Sequence, residues 1–172
     1  MKLNLGCGDK KIEGFLGVDK IKTEATDEKW DLDVFPYPFP DNSVEEIFMD
    51  NVLEHLEDVI LTMEEIYRIC KPGAKVRINV PYFKSNSAFT DPTHKHFFTE
   101  NSFKYFNKKH NLHFYTKATF NVVEVKLVNY SSKEYRDKKH FFRKLIPCKK
   151  ILNHLFFNMY DEIQFELECI KD

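Results

Sequence analysis

The chain has 172 residues, of which 42% are hydrophobic and 31% charged, so we expect one globular domain over residues 1–172 and exclude a disordered chain. No apolar run approaches the roughly 18 residues of a membrane span, and the N-terminal residues lead directly into a strand, so we expect a cytoplasmic protein without membrane contact. The four scattered cysteines argue against a disulfide framework and against a cysteine-based zinc site.

The net charge of −1 hides a strong asymmetry along the chain. Residues 1–60 contain 15 acidic residues against 6 Lys/Arg, a balance of −9. Residues 104–150 contain 13 Lys/Arg against 3 acidic residues, a balance of +10. The basic region is typical either of a surface for an anionic partner or of a solvated lysine-rich face.

The first half of the chain alternates strand and turn signals. We predict strands over Lys2 to Leu5, Phe15 to Val18 and Val44 to Met49, with a further strand ending near Trp30 to Leu32. Three prolines within residues 35–43 exclude regular structure before the strand at Val44.

One amphipathic helix is predicted from apolar residues at helical spacing. It has about four turns and ends at Lys71-Pro72-Gly73, and a strand over Val76 to Val80 follows. The apolar positions are Leu56, Val59, Met63, Ile66 and Ile69. Residues 1–81 therefore read as an α/β unit.

The second half is less regular. Tyr82 to Asn101 is predicted to be a long functional loop, and Ser102 to His110 a helix. Strands are expected over Thr119 to Asn129 and Gln164 to Ile170, pairing as an antiparallel edge, with a helical insertion over residues 138–158 between them.

Leu3 to Gly8 ends a predicted strand in Gly-Cys-Gly, which allows a tight turn and a close approach of a ligand to the backbone. Asp19, at the end of the next strand, is placed to accept hydrogen bonds from ribose hydroxyls. Lys11 stands where a dinucleotide-binding loop has its third glycine, which disfavours a pyrophosphate site.

Three ordered stretches resemble the class I S-adenosylmethionine-dependent methyltransferases, in their small-molecule, type 11-like branch. They are LNLGCGDKKIEGFLGVD, WDLDVFPYPFPDNSVEEIFMDNVLEHL and ICKPGAKVRINVP. The resemblance implies a Rossmann-like α/β fold with a seven-strand sheet, mostly parallel with an antiparallel edge. It assigns residues 1–81 to cosubstrate binding and implies S-adenosylmethionine as the cosubstrate.

The resemblance also implies which residues contact the cosubstrate. The glycine turn would lie under the methionine and ribose, Asp19 and Lys20 beside the ribose and adenine, and Asp31 and Leu32 at the adenine, with Asp33 as an alternative to Asp31. Asn51 and Val52 would line the sulfonium, and His55 would close the near side, unless it is a core histidine. The full set is Leu5, Gly6, Cys7, Gly8, Asp19, Lys20, Asp31, Leu32, Asn51, Val52 and His55.

The loop over residues 82–101 follows the fifth strand, at the edge where Rossmann-like enzymes bind ligands. We predict that His94 or His96 orients or deprotonates a methyl acceptor, with Tyr82 as a further catalytic candidate, and that phenylalanines cover the pocket. Alternatively, each imidazole ties the loop to backbone carbonyls. No tight spacing motif joins the histidines to Asp91, His110 or His113, so we expect no metal site.

The acceptor is predicted to be a small molecule, with residues 130–160 as a helical lid over it. An RNA or tRNA methyltransferase that uses the basic segment 133–150 is the alternative within the same class. A non-catalytic S-adenosylmethionine-binding protein and an NAD(P)-dependent oxidoreductase are the alternatives outside it. The sequence does not indicate an oligomeric state.

Overall fold

Seven strands form one sheet in the computed structural model, which describes residues 1–129 and 146–171. In chain order the strands are β1 (Lys2–Leu5), β2 (Leu16–Asp19), β3 (Glu28–Lys29), β4 (Val44–Asp50), β5 (Cys70–Pro81), β6 (Phe120–Val128) and β7 (Glu162–Cys169). Their order across the sheet is β3-β2-β1-β4-β5-β7-β6.

The strand directions confirm the predicted mostly parallel sheet. Strands β1 to β5 pair in parallel, with Leu3 beside both Leu16 and Ile47. Strand β7 is antiparallel to both of its neighbours, β5 and β6. The antiparallel strand is therefore second from the edge, and β6 forms the edge in the same direction as β5.

Helix α1 (Val59–Ile69) is the predicted amphipathic helix, and with 11 residues it is about one turn shorter than expected. The Asp58 side chain accepts a hydrogen bond from the Leu61 N–H at its start, so Leu56 lies before the helix. The helix ends before Lys71-Pro72-Gly73, as predicted. Strand β5 nevertheless begins at Cys70 and includes this tripeptide, opposite a register shift between Val44 and Glu46 of β4.

The two faces of the sheet differ in chemistry. On one face Leu3, Ile47 and Val76 lie side by side in the core to which Met63 and Ile66 of α1 also belong. On the other face polar side chains pair across strands: Glu46 lies 2.8 Å from Lys2 and 2.6 Å from Arg77. This alternation follows from the two-residue period of a strand and leaves a polar, partly exposed sheet face.

The segment between β5 and β6 contains little regular structure. It includes a four-residue helix α2 (Ser87–Thr90), and a 3₁₀ turn over Ser102–Phe106 replaces the longer helix predicted over Ser102 to His110. Phe103 and Phe106 of that turn are buried in the core. Two rings three residues apart lie on the same side of a 3₁₀ turn, where residues i and i+3 eclipse each other.

The C-terminal region is described only in part. Residues 130–145, which include most of the predicted lid and of the basic segment 133–150, lie outside the described residues. After Pro147 the chain forms a short helix, α3 (Lys149–Leu152), before β7. Within the described ranges, no helix has the length and apolarity needed to span a bilayer.

Candidate functional site

The carboxyl ends of β1, β2 and β4 surround a cavity of about 210 Å³. Eight of the eleven residues predicted to contact a cosubstrate line it, and Trp30 and Leu56 complete the wall. The lining residues are Gly6, Asp19, Lys20, Trp30, Asp31, Leu32, Asn51, Val52, His55 and Leu56. The fold therefore gathers four separate sequence segments at one edge of the sheet.

The glycine turn after β1 forms one side of the cavity. Gly6 has a φ of +67°, and a Cβ built on it would lie 2.3 Å from Cγ2 of Val52, so only glycine fits beneath that side chain. Gly8 also has a positive φ, +52°, but a Cβ there would meet nothing within 4 Å. Gly6 is thus required both by its contact with Val52 and by its backbone conformation, whereas Gly8 is required by its backbone conformation alone.

Asp19 is held in a fixed position at the end of β2. Its Oδ2 accepts a hydrogen bond from the Gly8 N–H at 2.8 Å, and its Oδ1 accepts one from the Ile21 N–H at 2.9 Å. A carboxylate has about four acceptor sites, so each oxygen keeps a lone pair for a ligand. The turn and the acid were predicted separately, and the structure joins them by a hydrogen bond.

The chain after β3 supplies an apolar wall and a carboxylate. Leu32 is buried, and its carbonyl accepts a hydrogen bond from the Tyr37 hydroxyl at 2.9 Å. Asp31 is exposed at the cavity. Asp33, the alternative to it, instead accepts a hydrogen bond from the Glu57 N–H at 2.8 Å and is not among the lining residues.

The chain after β4 supplies the opposite wall. Asn51 has a φ of +56° and donates to Glu162 Oε1 at 3.1 Å. Burial raises the pKa of Glu162. Val52 and His55 follow, and the His55 ring lies edge-on to the His94 ring with centroids 4.7 Å apart. Burial and the neighbouring His94 lower the pKa of His55.

Three predicted cosubstrate residues do not form the cavity wall. Leu5 is fully buried in the core, as expected for the last residue of a central strand. The Cys7 thiol points inward, 3.6 Å from the Ala25 carbonyl, and burial raises its pKa. Gly8 contributes through its N–H to Asp19. In this turn only backbone atoms of residues 7 and 8 remain for a ligand.

The three catalytic candidates differ in position. The Tyr82 hydroxyl donates to Glu100 and accepts from Asn153, both at 2.9 Å, and burial together with Glu100 raises its pKa to about 12. His96 Nε2 donates to the Leu56 carbonyl at 2.9 Å and ties the loop down. Neither residue is among those that line the cavity.

His94 is the candidate that reaches the site, through its ring contact with His55. Its Nδ1 lies 2.9 Å from the Ala88 carbonyl, so it also anchors its own loop. Its Nε2 faces Glu54 Oε1 and Asp91 Oδ2, each at 4.0 Å.

Glu54 is a functional candidate that the sequence analysis did not single out. It belongs to a 3₁₀ turn, Leu53–His55, and its side chain is buried. Burial, reinforced by the charges of Glu162 and Asp50, raises its pKa to about 8. A Glu-His pair flanked by Leu53 and Leu56 is an available sequence signal, because a charged residue is rarely buried without a specific role.

The predicted aromatic cover is only partly realised. Phe98 is buried in the core against Phe103, so it packs the domain rather than a ligand. Phe89 and Phe97 stack on each other at 4.6 Å and stay exposed by 60% and 47%. Phe89 directly follows Ala88, the partner of His94, so this pair lies beside the segment that anchors His94.

Comparison with known proteins agrees with this geometry. A family model described as a methyltransferase domain matches residues 16–78, from β2 into β5. No curated protein sequence matches the chain significantly.

Solved structures share the fold at low sequence identity. A SAM-dependent methyltransferase from Archaeoglobus fulgidus superposes with a TM-score of 0.61 at 20% identity, covering 97% of this chain and 85% of its own. An S-adenosylmethionine-dependent methyltransferase from Mesorhizobium loti gives 0.60 at 14%, covering 97% and 89%. The 4+2 cyclase SpnF gives 0.61 at 12%, covering 99% and 74%.

Below 25% identity these superpositions establish the fold, and over residues 16–78 the chain is also similar to a methyltransferase domain. The cyclase shows that the same fold also supports other chemistry. The match over residues 16–78 and the shared fold together support a methyltransferase with S-adenosylmethionine as its cosubstrate.

Proposed function

We propose that the cavity binds the nucleoside part of S-adenosylmethionine and that the protein transfers its methyl group to a small-molecule acceptor. The observation that supports this most is the Asp19 carboxylate, fixed by the N–H groups of Gly8 and Ile21 at the cavity wall. A vicinal diol presents two O–H donors, and the free lone pairs of this carboxylate match them.

The remaining wall suits an adenine ring and a sulfonium. Leu32 and Val52 offer apolar surface to a flat ring, and Asp31 offers an acceptor for its exocyclic amine. The carboxylates favour a cationic ligand over a phosphate-bearing one. Lys11, at the position of the missing third glycine, is paired with Asp27 at 2.6 Å, so this charge is already compensated.

The chemistry requires positioning more than acid–base groups. A lone pair of the acceptor attacks the methyl carbon, the carbon–sulfur bond breaks, and S-adenosylhomocysteine leaves with the bonding electrons. Alignment of the two reactants supplies much of the acceleration. His94 is the proposed acceptor-side residue, because it contacts His55 on the cavity wall and lies in the loop that follows β5.

A small acceptor fits the exposed surface on that side. The stacked Phe89 and Phe97 rings offer an apolar platform next to the segment that anchors His94. An acceptor with a flat or apolar part gains stabilisation there by burying both rings. The size of this platform, two rings, suits a small molecule better than an extended polymer.

Calorimetric titration of the full chain with S-adenosylmethionine, S-adenosylhomocysteine and NADH tests the cosubstrate assignment. Asp19→Ala removes two charge-assisted acceptors, so we expect roughly 10–100-fold weaker S-adenosylmethionine binding. Glu24→Gln is the matched control, because it removes an exposed acid from the neighbouring loop. Equal affinity of the Asp19→Ala variant and the wild type, or preferential NADH binding, would contradict the assignment.

A methyl-transfer assay with labelled S-adenosylmethionine tests the acceptor class. Small hydroxyl, amine and carboxylate compounds with aromatic groups form one panel, and bulk tRNA forms the other. We expect turnover in the first panel that falls when Phe89 and Phe97 are both changed to Ser. Labelling of tRNA alone refutes the small-molecule proposal, and binding of cosubstrate without any transfer favours a non-catalytic role.

A further inference from the structure

Glu54 presents a buried carboxyl group 4.0 Å from the His94 ring. Its side chain is 1% exposed, and among the described residues neither Oε1 nor Oε2 has a hydrogen-bond partner. Its backbone carbonyl accepts from the N–H groups of Lys95 and His96, which holds the loop over it. Burying a polar group without a hydrogen-bond partner is unfavourable, so a buried carboxyl group of this kind points to a ligand that would satisfy it.

In the neutral His94 ring, the nitrogen that carries no hydrogen faces this carboxyl group. Its Nδ1 lies 2.9 Å from the Ala88 carbonyl, which can only accept, so Nδ1 carries the hydrogen. In the neutral ring Nε2 then keeps its lone pair, 4.0 Å from Glu54 Oε1. Its side chain is only 7% exposed.

His55 adopts the same tautomer for an analogous reason. Its Nδ1 lies 2.9 Å from the Thr93 hydroxyl, and that hydroxyl donates its single hydrogen to Asp91 Oδ1 at 2.7 Å. The Thr93 oxygen therefore accepts from His55 Nδ1, and the lone pair is again on Nε2. Both imidazoles are thus oriented through Nδ1, one by a backbone carbonyl and one by a Thr–Asp relay.

We propose that Glu54, His55 and His94 bind a divalent transition-metal ion of the zinc type. Each offers a ligand atom within 4.8 Å of the others. Two imidazole nitrogens and one carboxylate oxygen form a set that zinc accepts, and metal-bound histidines typically donate their other N–H as these do.

The ligand atoms, which lie within 4.8 Å of one another, must approach by up to about 1.4 Å to bind the ion. Bonds of about 2.0–2.1 Å at a tetrahedral angle separate two ligand atoms by about 3.4 Å. The 4.0 Å between His94 Nε2 and Glu54 Oε1 therefore closes by about 0.6 Å. His94 lies in an irregular loop segment, so this movement does not disturb the sheet.

The metal site itself is independent of the proposed function, but its role in methyl transfer rests on cosubstrate binding in the neighbouring cavity. Three protein ligands leave a fourth position open, and His55 also lines the cosubstrate cavity, so a molecule bound to the ion lies beside that cavity. The acceptor class that this arrangement favours carries an oxygen donor, such as a hydroxyl group, which the ion would fix next to the methyl group.

Titration of tag-free, chelator-treated full chain with Zn²⁺ and Co²⁺ tests the site without an activity measurement. We expect one ion per chain by calorimetry and a tetrahedral cobalt absorption spectrum. Glu54→Gln keeps the side-chain shape, and His94→Gln removes a nitrogen ligand; each should weaken binding by at least ~100-fold. His110→Gln is the control and should change affinity less than about threefold, because His110 lies outside this cluster.

A measurement on the wild type covers the case in which a variant does not fold. Addition of Zn²⁺ should shift the ¹⁵N resonances of Nε2 in His55 and His94 and leave those of His110 and His113 in place. Absence of one-to-one binding, unchanged affinity of Glu54→Gln, or resonance shifts at other histidines instead would overturn the proposal.

Parallel titrations with S-adenosylmethionine separate the two proposals. Cosubstrate binding without metal binding overturns the metal site alone. Metal binding without cosubstrate binding supports the metal site and overturns the function proposed for the cavity.

Discussion

Substitution of Gly6 by alanine should destabilise the domain much more than the same change at Gly8. Both glycines have positive φ, and an L-residue in that region costs about 1–2 kcal/mol. At Gly6 the new Cβ also lies 2.3 Å from Val52 Cγ2 and 2.6 Å from Cγ1, whereas carbon atoms prefer about 3.5–4.0 Å. Overpacking adds about 1–3 kcal/mol, which gives about 2–5 kcal/mol at Gly6 against about 1–2 kcal/mol at Gly8.

Urea unfolding followed by circular dichroism measures both losses, and a double variant isolates the steric part. Gly6→Ala combined with Val52→Ala should lose about 1–3 kcal/mol less than the sum of the single variants, because Val52→Ala removes both clashing methyl groups. Equal losses for Gly6→Ala and Gly8→Ala, or strictly additive losses in the double variant, would refute the claim that Val52 packs rigidly on the turn.

Two further variants test how the loops around the site are held. Arg68 donates to Glu65 and to the Tyr37 and Phe39 carbonyls, so Arg68→Met should cost about 2–4 kcal/mol in urea unfolding. Burial alone would raise the pKa of Glu65, but hydrogen bonds from Arg68 and the Tyr37 N–H lower it below its ordinary value of 4.5. The Arg68–Glu65 pair therefore stabilises the fold above pH 4.5, and this stability is lost as the pH falls through the lower folded pKa of Glu65. The variant should therefore lose less stability than the wild type between about pH 5 and pH 3; an unchanged pH profile contradicts this. His96→Ala should cost about 1 kcal/mol and speed hydrogen exchange in residues 91–96, whereas Lys95→Ala, which removes an exposed ion pair, should cost less.

Most of the sheet was predictable because each strand has a local signature. β1 and β7 alternate apolar and polar residues, and β4 contains the apolar run Ile47 to Met49. The observed bounds of all three differ from the predicted ones by at most two residues. β3 has two exposed residues and no such pattern, so its end was misplaced to Trp30–Leu32. A strand that pairs at a sheet edge without burying a side chain has no periodic hydrophobic pattern in its sequence from which it could be predicted.

The cavity was predictable to the extent that it follows strand ends. Asp19 and Asn51 each stand at or after the last residue of a strand, and the carboxyl ends of parallel strands meet at one edge. The direction of the Cys7 side chain was not predictable, because it depends on the φ values of the two glycines around it. Glu54 and His94 are 40 residues apart in sequence, and only the tertiary fold shows that they face each other.

The location of the site follows from the strand order. The chain leaves β1 toward β2 on one side, and β4 returns on the other side of β1, so the connections diverge at this point and leave a crevice. Both strands end in left-handed residues, Gly6 after β1 and Asn51 after β4, and Leu5 pairs with Met49 just before them. Two such turns side by side direct both segments away from the sheet. Left-handed backbone conformations, which are unfavourable for most residues, are therefore concentrated at the cavity that Asp19, Val52 and His55 line. This is where a ligand most needs partners in fixed positions.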